Sequence, residues 1–342
     1  MKILVTGGLG YIGSHVTVVL LEQGHEVISI DNLENSSLKV LEGIEAITGK
    51  RPHFEALDVC DKGQMESLFS KHPTLDGVIH FAAHKSVGES VTEPIKYYEN
   101  NIGGLLQILK QSVKNSIPFI FSSSCTVYGQ ADKLPIDENT PLKRAYSPYA
   151  NTKQVGEQII EDCCFAHENF KAILLRYFNP IGAHSSSKIG ELPQGIPQNL
   201  IPFLTQTVIG KRPILKVFGA EYDTFDGTCI RDYIHVMDLA QAHIDSLNHL
   251  INSKNTAPCE VYNVGTGEGV SVMQLIKTFE VVTGEKVPYE IVGPRQGDTV
   301  AAYADASKIM NTLGWKPTRS LEQSLLSSWN WEKQLNKRSL IH

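Results

Sequence analysis

Lys2-Ile3-Leu4-Val5-Thr6-Gly7-Gly8-Leu9-Gly10-Tyr11-Ile12-Gly13 opens the chain, and its reading decides the fold. Residues 2–5 form a short apolar run, the pattern of a buried strand. Glycines follow at 7, 8, 10 and 13. Gly8-x-Gly10-x-x-Gly13 has dinucleotide-loop spacing, and Gly7-x-x-Gly10-x-x-Gly13 has a variant of it. Such glycines allow a tight turn and close approach of backbone to a pyrophosphate at a helix N-terminus. The stretch Ile12 to Gln23 reads as that helix, with Gly24 as its stop. Glu26 to Ile30 reads as a second strand, with Asp31 at its end. A carboxylate there can accept hydrogen bonds from an adenosine ribose and repels a 2′-phosphate, which favours NAD over NADP. A glycine motif alone is weak evidence. Strand, loop, helix, strand and acid in this order are strong evidence.

Further along, strand-like and helix-like segments alternate. Strand candidates end near Asp31, Asp58, Ala83, Ser124 and Asn179, with room between them for crossover helices. This predicts an α/β fold with a Rossmann-type doubly wound parallel sheet. Ligands bind such sheets at the carboxyl ends of the strands. The chemistry-bearing residues gather at those ends: Asp31, Asp58-Val59, Phe81-Ala82-Ala83, Ser122-Ser123-Ser124 and Tyr177-Phe178-Asn179. After Asn179 the pattern changes. Residues 180–202 are rich in Ser, Gly and Pro and read as loop. The later part has fewer clean βα units and predicts a smaller C-terminal substrate-binding lobe. Lys333 to His342 reads as a polar tail.

Ser147-Pro148-Tyr149-Ala150-Asn151-Thr152-Lys153 carries the candidate chemistry. Ser147 can cap a helix and Pro148 suits its first turn. Tyr149 and Lys153 then lie one turn apart on one face. A free phenol, with a pKa near ~10, is a poor base at neutral pH. A neighbouring cation favours the phenolate, and a positive nicotinamide pushes the same way. Such a tyrosine could take a hydroxyl proton while hydride leaves the carbon. Tyr-x-x-x-Lys alone is commonplace; its place behind a dinucleotide loop and a Ser-rich strand end gives it weight.

The chain has 342 residues and a net charge of −6, without a Lys/Arg-rich block. That argues against nucleic acid as a partner. No apolar stretch approaches membrane-spanning length, so no membrane partner is expected. The N-terminus runs straight into a strand, which predicts no signal peptide and a cytoplasmic protein. The six cysteines show no CxxC spacing and are expected to be reduced thiols. Twelve histidines are scattered without HExxH-like spacing, so no metal is expected. His80, His84 and His235 read as ordinary core or loop histidines.

Several longer stretches are more specific: Val78-Ile79-His80-Phe81-Ala82-Ala83, Val87-Gly88-Glu89-Ser90, Phe121 to Gly129, Leu175-Arg176-Tyr177-Phe178-Asn179-Pro180, Pro193-Gln194-Gly195-Ile196-Pro197 and Arg231 to Asp238. With them the chain resembles the extended short-chain dehydrogenase/reductase family, and within it the nucleotide-sugar 4-epimerases, from Lys2 to about Trp331. The resemblance implies NAD as cofactor, a UDP-sugar as substrate and a homodimer. It implies Tyr149 as base, Lys153 as holder of the nicotinamide ribose, and Ser124 as a bridge between sugar hydroxyl and phenol. On the cofactor side it further implies Gly7, Gly10, Tyr11, Ile12, Gly13, Asp31, Asn32, Asn35, Asp58, Val59, Phe81, Ala82, Ala83, Lys85, Asn100, Ser122 and Tyr177. For the substrate it implies Asn179 on a phosphate or sugar oxygen, Arg231 and Arg295 on the diphosphate, and Asp298 on the uridine ribose. Asn199, Leu200, Phe218 and Tyr233 would complete that site. It also implies a discontinuous NAD-binding domain, 1–182 plus about 234–265, and a UDP-sugar lobe of about 183–233 plus 266–342.

The implied activity is interconversion of UDP-glucose and UDP-galactose through a 4-keto sugar. Acceptance of the N-acetylated pair turns on Ala302, which stands where epimerases restricted to plain hexoses tend to carry a tyrosine; Tyr303 is next door and is expected to point elsewhere. Rival readings are a nucleotide-sugar 4,6-dehydratase, a net dehydrogenase or reductase, and a non-catalytic NAD-binding regulator. Dehydratases carry an Asp-Glu pair before Val-Tyr-Gly, where this chain has Cys125 and Thr126.

Overall fold

The computed structural model describes residues 1–294 and 299–339. The first half alternates as expected: β1 (Lys2–Thr6), α1 (Tyr11–Glu22), β2 (Glu26–Asp31), α2 (Lys39–Thr48), β3 (His53–Ala56), α3 (Lys62–Lys71), β4 (Gly77–His80), α4 (Val87–Thr92), α5 (Pro94–Lys114), β5 (Phe119–Ser122), α6 (Pro148–Ala166) and β6 (Ala172–Tyr177). A seventh strand, Cys259–Val264, follows the helix Val236–Ile251 and pairs parallel with β6. The sheet order is that seventh strand, then β6, β5, β4, β1, β2 and β3. Every pairing in it is parallel.

Strand alternation divides the core between the two faces. Ile3, Val5, Ile79 and Ile120 face one cluster with Val16 and Leu20 of α1 and Leu239 and Leu247 of the helix Val236–Ile251. Leu4, Val78, Phe119 and Phe121 face the other, with Leu105 and Ile108 of α5 and Ile160 of α6. Both faces are covered, which is why the strands read as continuous apolar runs. Each such side chain contributes about 1.5–3 kcal/mol on burial. A third cluster, built around Leu204, Val217, Leu275, Phe279, Leu325 and Trp329, holds the later segments together.

Two boundaries differ from expectation. β3, β4 and β5 stop two or three residues short, at Ala56, His80 and Ser122, so the residues beyond them lie outside the ladder. Asn179 belongs to a separate short strand, Asn179–Ile181, paired with Tyr233–His235. The polar tail is also corrected. The helix Leu321–Ser339 runs through Lys333, with Trp331 and Glu332 buried. Trp331 Nε1 donates to the Glu191 carbonyl at 2.8 Å and Lys211 pairs with Glu332 at 2.8 Å. Only residues 340–342 of that stretch lie outside the described residues. No helix among the described residues is long and apolar enough to cross a membrane.

Candidate active site

Gly7 takes a φ of +64°, and a Cβ there would sit 2.8 Å from the Ala82 amide nitrogen. A Cβ on Gly13 would sit 2.3 Å from the Gly7 carbonyl oxygen. Neither position can carry a side chain without moving backbone. Gly10 caps α1 with no side-chain hydrogen bond and the first turn holds no acid, so the helix end can take an anion. Asp31 accepts from the Leu9 amide at 3.1 Å, the Leu33 amide at 2.9 Å and the Ser36 hydroxyl at 2.7 Å, fixing the glycine loop against the end of β2. A cradle closed to Cβ atoms, a bare helix terminus and an acid beyond β2 fit a dinucleotide.

The other residues expected around the cofactor have these partners. The amides of Phe81 and Ala82 donate to Thr6, to its carbonyl at 3.1 Å and its hydroxyl at 3.2 Å, which holds 81–82 against the loop. Asp58 accepts from the Cys60 amide at 2.9 Å, while Val59 is buried against Gly104. Asn32 accepts from the Glu34 amide at 3.1 Å, and Asn35 Nδ2 lies 3.4 Å from His84 Nδ1. Asn100 Nδ2 donates to Asn101 at 2.9 Å. Tyr11 donates its hydroxyl to the Gly182 carbonyl at 2.6 Å. Lys85 is exposed and pairs with Glu191 at 3.0 Å.

The Tyr-Lys corner forms as the sequence suggests. Ser147 Oγ accepts from the Ala150 amide at 3.2 Å and Pro148 opens α6. Lys153 Nζ donates to the Ser122 carbonyl at 2.7 Å, lies 4.9 Å from the Phe121 ring centre and 6.0 Å from that of Tyr149. Ser122 Oγ donates to the Tyr177 hydroxyl at 2.9 Å. Ser124 Oγ accepts from the Thr126 amide at 3.3 Å and its hydroxyl at 3.0 Å, and hydrogen-bonds the Tyr149 phenol. Tyr149, Lys153 and Ser124 are 8%, 5% and 7% exposed.

That dryness sets the electrostatics of the corner. Burial holds the Tyr149 phenol well above its ordinary pKa, and the bond from Ser124 only partly opposes it. Burial pushes the Lys153 ammonium down to about 8, against the pull of Glu157. Desolvation is the largest cause in both groups, because burial strips each of its water and penalises the charged form.

The substrate side is wetter. An open cleft of about 860 Å³, solvent at its mouth included, is lined by Asn179, Asn199, Leu200, Phe218, Arg231 and Tyr233, all expected from sequence. Arg231 lies on the two-residue strand Ile230–Arg231 and donates to the Ile230 carbonyl at 2.8 Å. Its sequence neighbour Asp232 is buried and spoken for: it accepts from the Thr266 amide (2.8 Å) and hydroxyl (2.7 Å) and from the amides of Gly267 (3.0 Å) and Ala304 (3.1 Å). Strand alternation turns the two side chains apart, so Arg231 keeps its charge for the cleft. Ala302 stands opposite Arg231 in register, but it is buried in the sheet's core cluster and does not line this cleft. The Tyr303 ring packs over Gly269, away from Ala302. Arg295 and Asp298 lie outside the described residues.

Sequence reasoning missed Lys216, Gln198, Cys229 and Glu191 on the cleft wall. Glu191 Oε1 accepts from Asn199 at 2.6 Å and Lys85 at 3.0 Å, so one carboxylate ties a residue expected on the substrate side to one expected on the cofactor side. The only available signal for Glu191 was its position just before the quoted Pro193-Gln194-Gly195 stretch. Nothing in local spacing marks Lys216.

A seven-stranded parallel sheet, a glycine loop at its first turn and a Tyr-Lys-Ser corner beyond β5 define a short-chain dehydrogenase/reductase of the extended type. The family profile described as GDP-mannose 4,6 dehydratase matches residues 4–327. The chain belongs to the UDP-glucose 4-epimerase family. It is 46% identical to the UDP-glucose 4-epimerase of Bos taurus, over 97% of each chain. The UDP-glucose 4-epimerase structure from Stenotrophomonas maltophila, with bound NAD and formylated UDP-arabinopyranose, superposes with a TM-score of 0.95 at 43% identity, covering 99% of both chains. That from Bifidobacterium longum, in complex with NAD+ and UDP, gives 0.93 at 45% identity, covering 98% of both.

Proposed function

We propose that the protein is an NAD-dependent UDP-hexose 4-epimerase that interconverts UDP-glucose and UDP-galactose. The observation that carries this is the dry Tyr149-Ser124-Lys153 corner placed between a dinucleotide cradle and a cationic cleft. NAD bound in the cradle supplies a hydride acceptor at C4 of the sugar and a positive ring beside the phenol. Gly7, Gly10 and Gly13 open the backbone to it, and Asp31 faces its adenosine ribose. Tyr149 would take the proton of the 4-hydroxyl as hydride leaves C4, and give it back to the same oxygen when hydride returns to C4 from the opposite face. Ser124, whose Oγ already accepts twice from Thr126, directs its own proton between phenol and sugar. Lys153, held on the Ser122 carbonyl, keeps a positive charge at that spot. Arg231 and Asn199 hold the diphosphate end, so the sugar can turn over while the nucleotide stays bound; binding energy remote from C4 retains it. In this reading residues 1–182 plus about 234–265 hold the cofactor, 183–233 plus 266–342 hold the substrate, and the enzyme works as a cytoplasmic homodimer.

Dehydration is disfavoured by two side chains. Elimination of water needs an acid and a base at positions 125 and 126. Burial pushes the Cys125 thiol up to about 12, and Thr126 spends its hydroxyl on Ser124.

The same reading extends to the N-acetylated UDP-hexoses. Position 302 carries only a methyl, packed in the core behind Arg231 and not on the cleft wall itself, and the neighbouring Tyr303 ring is turned to Gly269, so neither side chain closes the cleft. The deciding experiment is turnover of UDP-galactose and UDP-N-acetylgalactosamine by purified protein without added NAD. Turnover of the plain hexose, with NAD co-purifying, is expected. No turnover even after NAD is added would sink the assignment; a UDP-4-keto-6-deoxy product would establish the dehydratase instead.

A further inference from the structure

Three side chains that the reaction does not use converge at the far edge of the sheet. β3 is the terminal strand and pairs only with β2. His53 and Glu55 stand two apart on it, so alternation sends both to one side. His72 ends α3 and reaches back over the same edge. His53 Nε2 lies 3.0 Å from Glu55 Oε1 and His72 Nε2 lies 3.2 Å from it. The three ligand atoms all fall within 4.8 Å of one another. The imidazoles meet edge to face at 5.3 Å between centres, and His72 is buried, so packing fixes its direction. Sequence spacing hides the group because α3 intervenes between Glu55 and His72.

Two imidazoles and one carboxylate suit a borderline transition cation better than Mg²⁺ or Ca²⁺, which prefer oxygen. We propose that His53, Glu55 and His72 form a binding site for a divalent transition cation of the Zn²⁺ class, which clips the edge strand to the end of α3. His53 is exposed and leaves the outer coordination positions to water. Lys71 is the resident competitor: its Nζ donates to the same Oε1 at 2.8 Å. Its side chain is 53% exposed, so its ammonium can swing into solvent when a cation arrives. Three strands, β4, β1 and β2, lie between β3 and β5, so the site stands apart from Tyr149.

The test is calorimetric titration of untagged, chelator-dialysed full-length protein with ZnCl₂. One equivalent should bind, and Zn²⁺ should raise the Tm. His72→Ala and Glu55→Gln should each weaken binding by roughly tenfold or more and remove the Tm rise. His53→Ala, at an exposed position, carries the same test should His72→Ala fail to fold. Lys71→Met should tighten binding by removing the competing cation, whereas a merely structural ion-pair cluster gives no such gain. Turnover of UDP-galactose should be the same with and without Zn²⁺. Absence of Zn²⁺ binding, binding indifferent to the histidines, or unimproved affinity in Lys71→Met overturns the proposal.

Discussion

The Tyr149 corner and the Arg231 cleft are built on opposite principles. The corner is dry, held by one helix cap and one sheet edge, and its groups have nearly lost their water. The cleft is half open and assembled from two- to four-residue strands and loops. Burial moves the pKa of Tyr149 and Lys153 a long way, while Arg231 stays near water. On the proposed reading, chemistry is concentrated in a few buried atoms and grip is spread over many partly exposed ones. Damage to the first should be steep and specific, damage to the second shallower and shared.

Four experiments press on that contrast. The largest effect is expected from Tyr149→Phe, which keeps the buried ring and removes the proton site: loss of about a hundred- to ten-thousandfold in kcat, with unchanged circular dichroism and NAD content. Near-normal turnover would take the phenol out of the mechanism.

Next comes acid sensitivity, which belongs to the dry half. Burial lowers His15 and His80 to about 3 and His243 to about 4. An unfolded histidine titrates near ~6.5, so below that pH the unfolded chain binds protons that the native protein refuses. Stability is therefore intact above about pH 6.5 and falls as pH drops toward 3–4, by up to about 1.4 kcal/mol per unit for each histidine. Thermal melts across that window should show a steep decline; a flat profile would show that these rings are solvated.

Arg231→Ala tests the grip. Losing a charged hydrogen bond costs about 1.5–3 kcal/mol, read as roughly a ten- to hundredfold rise in KM with kcat less affected. An equal fall in kcat would move Arg231 from the shared grip to the chemical corner. Smallest is Ala302→Tyr, where overpacking costs about 1–3 kcal/mol and should fall on the N-acetylated sugar rather than the plain one. Equal loss on both substrates would mean that the buried alanine supports the core instead of a pocket wall.

The contrast also explains what the sequence could reveal. The glycine loop and the Tyr149-Lys153 pair are local, and loop or helix spacing alone fixes their geometry. The strand ends are legible because buried parallel strands are apolar on both faces. The cleft wall joins Glu191, Lys216 and Arg231 through pairings such as Arg231 with Val270 and Ala302, and strands of two residues leave no periodicity to read. The end of the helix Leu321–Ser339 read as a tail because Lys333 and Lys337 face water and the buried Trp329, Trp331 and Glu332 come just before it. The position of Lys153 is legible in the spacing, whereas the dryness of its corner is set by tertiary packing that spacing does not disclose.

The seventh strand has a consequence for the chain's birth. Its partner β6 is complete at Tyr177, but Cys259–Val264 leaves the ribosome nearly ninety residues later. At roughly 5–20 residues per second, the delay is on the order of ten seconds. Throughout it, β6 presents an unpaired backbone edge that any neighbouring strand could join. Slowed translation between positions 177 and 264 should therefore increase the share of newly made protein captured by chaperones or lost to aggregates.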